Sequence, residues 1–222
     1  MFKLLALIAA AFVSFATAAL AEDCPAAALR PVIKPGDSWT YKKIDDWRGV
    51  VKETFTMTVS SVGGSAIELV RKSDAVPTRT ITETLDLNGL TGIALSGNTS
   101  IRWTPDNRMF VFPLKVGTTW QSDVHYARGD GITGSMSLAN AVVGCERIGG
   151  FDAFKITANG SYFPDGMQGN GYMIRTVWYA PAIGGIVKEH FETSWNGTPG
   201  VRVTTELTGY TFAAVRAATR NK

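Results

Sequence analysis

The sequence predicts an all-β protein whose antiparallel, strongly curved sheet forms a barrel or a half-barrel. Segments in which apolar and polar residues alternate follow one another from residue 38 to residue 212, and Gly-containing turn dipeptides separate them at suitable intervals. No long segment holds a helical period. The predicted strands are 38–43, 51–62, 65–72, 78–87, 100–104, 118–126, 132–144, 153–162, 173–179, 186–195 and 201–212.

Residues 173–195 carry the clearest strand signals. β-branched and aromatic residues flank a Pro- and Gly-containing stretch, which is typical of a β-hairpin with a longer loop. On the return strand Val187, Phe191, Thr193 and Trp195 share one face, and polar residues share the other. This split predicts a sheet with one buried and one solvated face.

The first 21 residues have the pattern of a secretory signal peptide. A basic start at Lys3 precedes an apolar run over 4–15, and Ala19 and Ala21 form a small-x-small cleavage site, with 16–18 as an alternative site. An N-terminal membrane anchor is less favoured, because a spanning helix needs ~20 apolar residues. A lipidated cysteine is also disfavoured, because two acidic residues precede Cys24.

Export leaves about 200 residues, enough for a single domain with its own core. We expect 1–21 to be the signal peptide, 22–212 to be a single all-β domain and 213–222 to be a flexible basic tail. No later segment is apolar enough to span a bilayer as a helix, so no transmembrane segment is expected in the mature chain. Loss of Lys3 lowers the formal charge from +3 to +2, which is too small to indicate a nucleic-acid partner.

Cys24 and Cys145 are the two cysteines of the chain. In an exported protein, two cysteines most simply form one disulfide. The bridge would join the mature N-terminus to the middle of the chain, and unpaired thiols are the alternative.

A short motif of the form Lys-x-Gly-x-x-Trp occurs twice, ending at Trp39 and at Trp120. Each copy precedes a predicted strand, and the glycine permits a tight turn while the tryptophan anchors the strand. The motif favours two duplicated β-meanders of four to six strands in one curved sheet or barrel. Chance recurrence is the alternative.

Three stretches carry a resemblance to a known family. They are the Lys115-x-Gly-x-x-Trp120 motif, the segment from Gly150 to Ile156, and the Trp-Tyr-Ala-Pro-x-x-Gly segment that starts at Trp178 and is followed by Val187 and Lys188. Together they resemble a widespread family of exported bacterial β-domains of unknown function. That family is similar in outline to the open half-barrels of periplasmic lipoprotein carriers of the LolA/LolB type. The resemblance covers about residues 111–210, and it implies the fold and a cavity for an apolar ligand.

The sequence offers little for catalysis. His125 and His190 are the only histidines, and no nucleophile elbow, zinc-binding helix motif or phosphate-binding loop is present. His190 is interpreted as a surface residue. Asp123 and His125 share one strand face and are interpreted as a strand-edge pair, since zinc needs three or four ligands. We therefore predict no enzymatic activity, no cofactor and no metal. An enzyme that uses Asp123 and His125 is the minor alternative.

The aromatic and methionine residues provide the candidate binding site. Trp47 and Trp103 lie beside polar or turn residues and are candidates for a cavity rim or an exposed contact surface, whereas Trp178 is expected in the core or the barrel lining. With Met57 and Met173, these residues are the predicted ligand contacts. The Gly-rich stretch 165–171 is interpreted as a mobile loop over the barrel mouth.

Two functions remain open at the sequence level. The first is a periplasmic or secreted β-barrel that binds an apolar small molecule or the acyl part of a lipid by shape and apolar burial. The second is an envelope scaffold that binds another envelope protein and has a filled core. An empty interior favours the first function, and a filled interior with an exposed apolar patch favours the second.

Overall fold

The computed structural model of the chain describes residues 24–94 and 99–213, so the predicted signal peptide, 1–21, and residues 214–222 of the predicted tail lie outside the described residues. The described chain folds into twelve β-strands and one short 3-10 helix, Pro181–Ile183. The strands are β1 Ser38–Asp45, β2 Val50–Gly63, β3 Ala66–Ser73, β4 Arg79–Thr84, β5 Thr91–Ile93, β6 Ser100–Thr104, β7 Thr119–Arg128, β8 Thr133–Ile148, β9 Phe151–Pro164, β10 Gly171–Ala180, β11 Gly185–Trp195 and β12 Thr198–Thr211.

All twelve strands belong to one antiparallel sheet that curves into a nearly closed barrel. Apart from β4 and β5, strands adjacent in sequence are adjacent in the sheet, and β12 pairs with β1, so the order runs β4-β3-β2-β1-β12-β11-β10-β9-β8-β7-β6-β5. The seam between β4 and β5 is bridged by the turn that joins them: Leu90 N–H donates to Thr82 O (2.8 Å) and Thr84 N–H donates to Asn88 O (2.8 Å). The predicted fold class is confirmed.

The structure contains all eleven predicted strands, with shifted ends, and adds β5. That strand is only three residues long and has Gly92 at its centre, so it has no alternation that a sequence pattern could reveal. The ring of Trp103 on β6 lies where a Cβ of Gly92 would stand, 2.7 Å from the nearest ring atom. Close packing of the indole therefore requires a glycine at this position.

One end of the barrel is filled by chain segments that cross it. Ala28 and Leu114 exchange two backbone hydrogen bonds of 2.9 Å, and both side chains are buried. The side-chain amide of Asn88 makes two hydrogen bonds to the backbone of Phe110. Its oxygen accepts from Phe110 N–H (2.7 Å), and its nitrogen donates to the Phe110 carbonyl (3.0 Å). These residues pack against the inner face of β8, β9 and β10, including Phe154 and Tyr179. This end of the barrel is therefore a packed core.

The two Lys-x-Gly-x-x-Trp motifs make the same backbone hydrogen bonds. In the first, Gly36 N–H donates to Val59 O (2.8 Å), and Val59 N–H donates to Asp37 O (2.8 Å). In the second, Gly117 N–H donates to Val142 O (2.8 Å), and Val142 N–H donates to Thr118 O (2.9 Å).

Both glycines of the motif have positive φ, 95° for Gly36 and 90° for Gly117. The motifs start β1 and β7, the first strands of two six-stranded halves. The repeated pattern supports the predicted internal duplication.

Cys24 and Cys145 form the predicted disulfide, and their Cα atoms are 6.2 Å apart. The bridge joins residues separated by 121 positions. It ties the segment that crosses the closed end to the end of β8. The loop-entropy model assigns such a bridge about 5 kcal/mol at most.

Glycines mark the positions where the inner face of the barrel is most crowded. Gly160, in β9, faces β8 so closely that a Cβ would lie 2.0 Å from the carbonyl oxygen of Ser137 and 2.9 Å from the Cα of Leu138. Both are backbone atoms, which cannot move without disturbing the strand pair. Strongly curved sheets use glycine at such points.

We expect Gly160→Ala to lower the free energy of unfolding by about 1–3 kcal/mol, the usual cost of overpacking. Gly144→Ala is the matched control, because a Cβ at Gly144 in β8 meets no atom within 4 Å. Urea unfolding of both variants measures the difference. Equal stabilities for the two variants would contradict this account of the sheet curvature.

Candidate functional site

Cavities lie inside the barrel that the described residues form. A large one has a volume of about 910 Å³ and opens at the end opposite the packed core. A small one, of about 100 Å³, lies towards the packed end and is lined by residues that include Trp39, Tyr41 and Phe110. The larger volume lies within the roughly 300–1,000 Å³ range of small-molecule sites.

Much of the wall of the large cavity is apolar and aromatic. Strand alternation places every second residue of each strand on this wall. Met136, Leu138 and Val124 belong to a cluster that continues into it. The large apolar and aromatic lining residues include Phe55, Ile81, Ile101, Trp103, Tyr126, Met136, Leu138, Tyr162, Met173, Phe191, Trp195 and Val203.

The structure brings three of the five predicted contact residues to the interior. Trp103 and Met173 line the large cavity, and Met57 lines the small one. The other two lie elsewhere: neither cavity is lined by Trp47 or Trp178 in the described part of the chain. A role for any of the five in ligand binding stays a prediction.

Trp178 projects from the outer face of β10. Its indole N–H donates to Glu146 Oε2 (2.9 Å), and the ammonium groups of Lys155 and Lys188 stand 5.4 and 5.6 Å from its ring centroid. Trp47 lies in the turn after β1 and is 56 % exposed. Its indole N–H donates to Gly200 O (3.1 Å), and Arg202 stands 5.6 Å from the ring.

Eight charged residues in the described part of the chain line the two cavities, and the sequence analysis did not identify them as functional. Lys52 and Arg128 are two of them, and we call the other six the charged belt: Lys43, Glu53, Arg71, Glu83, Arg175 and Glu189. Each lies on a different strand, in phase with apolar residues. Glu189, for example, stands between Val187 and Phe191 on the inner face of β11. The sequence did contain a signal for the belt. Each of these charged residues occupies a position at which the alternation of its strand predicts an inward, apolar side chain.

Four members of the belt form two ion pairs. Arg71 Nη2 lies 2.7 Å from Glu53 Oε1, and only 8 % of each side chain is exposed. The second pair joins Arg175 Nε to Glu189 Oε1 at 2.6 Å. Buried charges are retained only when such partners offset the loss of water.

The two remaining members have shifted pKa values. Burial raises the pKa of Glu83 from 4.5 to about 7, although the positive charge of Arg175 opposes the shift. Burial lowers the pKa of Lys43; Arg71 and Lys52 lower it further, and Glu53 and Glu189 oppose the shift. Tyr41 lies beside them, and burial, followed by the charges of Glu83 and Glu189, raises the pKa of its hydroxyl. At neutral pH the Glu83 carboxyl is therefore partly protonated.

The two histidines lie on the outer face of the barrel. His125 and Asp123 are exposed on β7, and the Asp123 carboxylate accepts a hydrogen bond from Ser137 Oγ (2.6 Å). His190, half-buried on β11, contacts Thr204 Oγ1 (3.1 Å), Glu192 Oε1 (2.6 Å) and Asp46 Oδ2 (3.2 Å). Neither histidine lines a cavity in the described part of the chain.

Within residues 24–94 and 99–213, no group of three or more His, Cys, Asp or Glu side chains is arranged to hold a metal ion. The same part of the chain contains no helix with the length and apolar character needed to cross a membrane.

Solved structures share this architecture. A candidate lipoprotein from Parabacteroides distasonis superimposes with a TM-score of 0.55 at 13% identity, over 83% of this chain and 99% of the other. A candidate exported protein with a YmcC-like fold from Bacteroides fragilis gives a TM-score of 0.51 at 13% identity, again over 83% and 99%. The chain has the YmcC-like fold. The expected likeness to exported bacterial β-domains is thus confirmed for the fold.

The hypothetical lipoprotein YmcC from Escherichia coli matches less closely, with a TM-score of 0.43 at 13% identity over 82% of this chain and 90% of that chain. No protein-family model and no curated protein matches the sequence. At this level of identity the structural matches establish the fold and leave the ligand open.

The raised pKa of Glu83 predicts an unusual pH dependence of stability. Between pH 4.5 and about 7 the folded protein binds more protons at Glu83 than the unfolded chain, so the contribution of this carboxyl to stability falls as pH rises. A glutamine at this position cannot ionise, so the Glu83→Gln variant does not lose this stability as the pH rises. We expect the variant to gain free energy of unfolding relative to the wild type across this window, by about 3 kcal/mol at most.

Glu146→Gln is the opposite-sign control. Hydrogen bonds from Lys155 and Trp178 lower the pKa of Glu146, so its stabilising contribution is present at neutral pH and declines as the pH falls below 4.5. The substitution should therefore cost stability at neutral pH. Urea unfolding from pH 4 to 8 measures both differences. A Glu83→Gln difference that does not change with pH would refute the assignment of a buried, protonated carboxyl.

Proposed function

We propose that this protein is an exported, non-enzymatic β-barrel of the cell envelope that binds an apolar or lipid-like ligand in its interior. The large open cavity is the observation that carries the proposal. Its volume of about 910 Å³ and its lining of aromatic, methionine and aliphatic side chains match the usual composition of small-molecule sites.

Two further observations support the proposed location in the cell envelope and the proposed lack of enzymatic activity. The N-terminal pattern of a signal peptide agrees with the exported or lipoprotein character given for the structural neighbours, and the disulfide suits an oxidising compartment such as the periplasm. Both histidines face outward, so the cavity has no imidazole to act as a general base.

An envelope scaffold that binds another protein is the second candidate. Exposed apolar side chains lie in the turns and strand ends around the open end, among them Trp47, Val50, Val51, Phe163 and Met167. They favour contact with a partner or a lipid surface. The open interior favours ligand binding over a purely structural role.

The test is native mass spectrometry of the exported, non-reduced protein before and after organic extraction, followed by titration of the extracted protein with N-phenyl-1-naphthylamine, a neutral apolar fluorophore. Under the proposal, a lipid-sized mass disappears on extraction and the fluorophore binds. A bare polypeptide mass together with no fluorophore binding would favour the scaffold.

Adjacent residues on β10 supply a matched pair of variants. Met173 lines the cavity, whereas Ile174 is on the outer face and 39 % exposed. We expect Met173→Glu to weaken fluorophore binding by roughly tenfold or more, because it places a carboxylate on the apolar wall. Ile174→Glu should leave binding unchanged. Equal effects of the two variants would show that the fluorophore binds outside the cavity.

A further inference from the structure

The charged belt indicates which kind of apolar ligand the cavity accepts. This inference rests on the proposed function and concerns the polar end of the ligand. The two ion pairs Arg71–Glu53 and Arg175–Glu189 balance their own charges. They leave Lys43 and Glu83 without an ion pair in the described part of the chain.

Arg71 carries a hydrogen-bond donor that the protein does not use. The residue is only 7 % exposed, its Nη2 bonds Glu53, and its Nη1 has no hydrogen-bond partner among the described residues. The guanidinium is fixed in place, since its carbon stands 4.0 Å from the centroid of the Phe55 ring. An unsatisfied buried donor costs about 1–3 kcal/mol, and more when it is charged. Buried donors in folded proteins are normally hydrogen-bonded, so we expect an acceptor outside the protein to bind Arg71 Nη1.

Lys43 places a second cation beside this donor. It lies directly opposite Glu53 in the β1–β2 register, and Glu53 is the carboxylate that holds Arg71. Lys43 and Arg71 both line the large cavity. The effect of Arg71 on the Lys43 pKa also shows that the two charges are close.

The cationic groups and the apolar wall belong to one continuous cavity. Its lining includes Lys43 and Arg71, on β1 and β3, and Trp103, Met136 and Met173, on β6, β8 and β10. A ligand that fills the cavity can therefore contact both the apolar side chains and the two cations. This arrangement suits an amphiphile.

We propose that the cavity binds an anionic amphiphile whose carboxylate or phosphate head accepts hydrogen bonds from Arg71 Nη1 and Lys43 Nζ while its hydrocarbon chain lies against the apolar wall. The head group supplies the acceptor that Arg71 lacks.

The experiment uses the mature, disulfide-intact protein after organic extraction. Isothermal titration calorimetry compares dodecanoate, dodecyl phosphate, dodecanol and dodecyltrimethylammonium, all below their micelle concentrations. These probes share one chain and differ in the head group. We expect dodecanoate, dodecyl phosphate or both to bind at least tenfold tighter than dodecanol, and the cation to bind more weakly than the alcohol. The comparison of dodecanoate with dodecyl phosphate distinguishes a fatty-acid-like ligand from a phospholipid-like one.

Lys43→Met tests the belt itself, because it removes the charge and keeps an unbranched apolar side chain. We expect it to abolish most of the preference for the anion over dodecanol. Lys42→Met is the matched control: Lys42 is the neighbouring residue of β1, its ammonium lies 2.9 Å from Glu206, and it lines neither of the two cavities. That variant should keep the preference. Thermal unfolding of both variants confirms that they fold.

The outcomes separate the two proposals. Equal affinities for dodecanoate, dodecyl phosphate and dodecanol would overturn the anionic head group and leave the apolar cavity intact. An anion preference that survives Lys43→Met would also overturn it, because the selectivity would then arise elsewhere. If no alkyl ligand binds, both proposals fail.

Discussion

The pairing of the first strand with the last is the constraint on which this structure depends. Residues of β1 from Ser38 to Asp45 pair with residues of β12 from Thr211 back to Val203, although the two strands lie at opposite ends of the chain. Without this ladder the meander would be an open sheet with a long unpaired edge at β1, which is prone to pair with other chains. The pairing curves the sheet into a barrel and leaves only the short seam between β4 and β5.

Closure with twelve strands creates an interior that side chains cannot fill. In a barrel of about eight strands the inward residues just meet, and the diameter grows with strand number. This protein fills half of the interior with chain segments. Ala28 and Leu114 cross the closed end, Phe110 packs beneath them, and the Cys24–Cys145 disulfide fixes the start of the crossing chain. The other half remains open, and it contains the large cavity.

The charged belt lines both cavities. Two ion pairs and the ring of Phe55 hold its two arginines, Glu53 and Glu189, so these charges are part of the structure as well as part of the site. A buried ion pair adds little net stability compared with apolar residues of the same size. Burying these charges also costs desolvation free energy. The proposed ligand gives a reason for that cost, because the Arg71–Glu53 pair holds Arg71 beside Lys43, where a head group would bind. The fold, the cavity and the proposed ligand then follow from one arrangement of strands.

The sequence by itself determined eleven of the twelve strands and the turns, and it favoured the disulfide, because these depend on local pattern and on chain composition. The alternation in β2, the paired glycines after it and the Lys-x-Gly-x-x-Trp motifs before Trp39 and Trp120 are visible without a partner strand. Only the tertiary structure decided how many strands close the barrel, where Trp178 points and which charges meet inside. Those features depend on contacts between strands far apart in sequence. Glu53, Arg71 and Lys43 become one site only when β1, β2 and β3 curve around a shared interior.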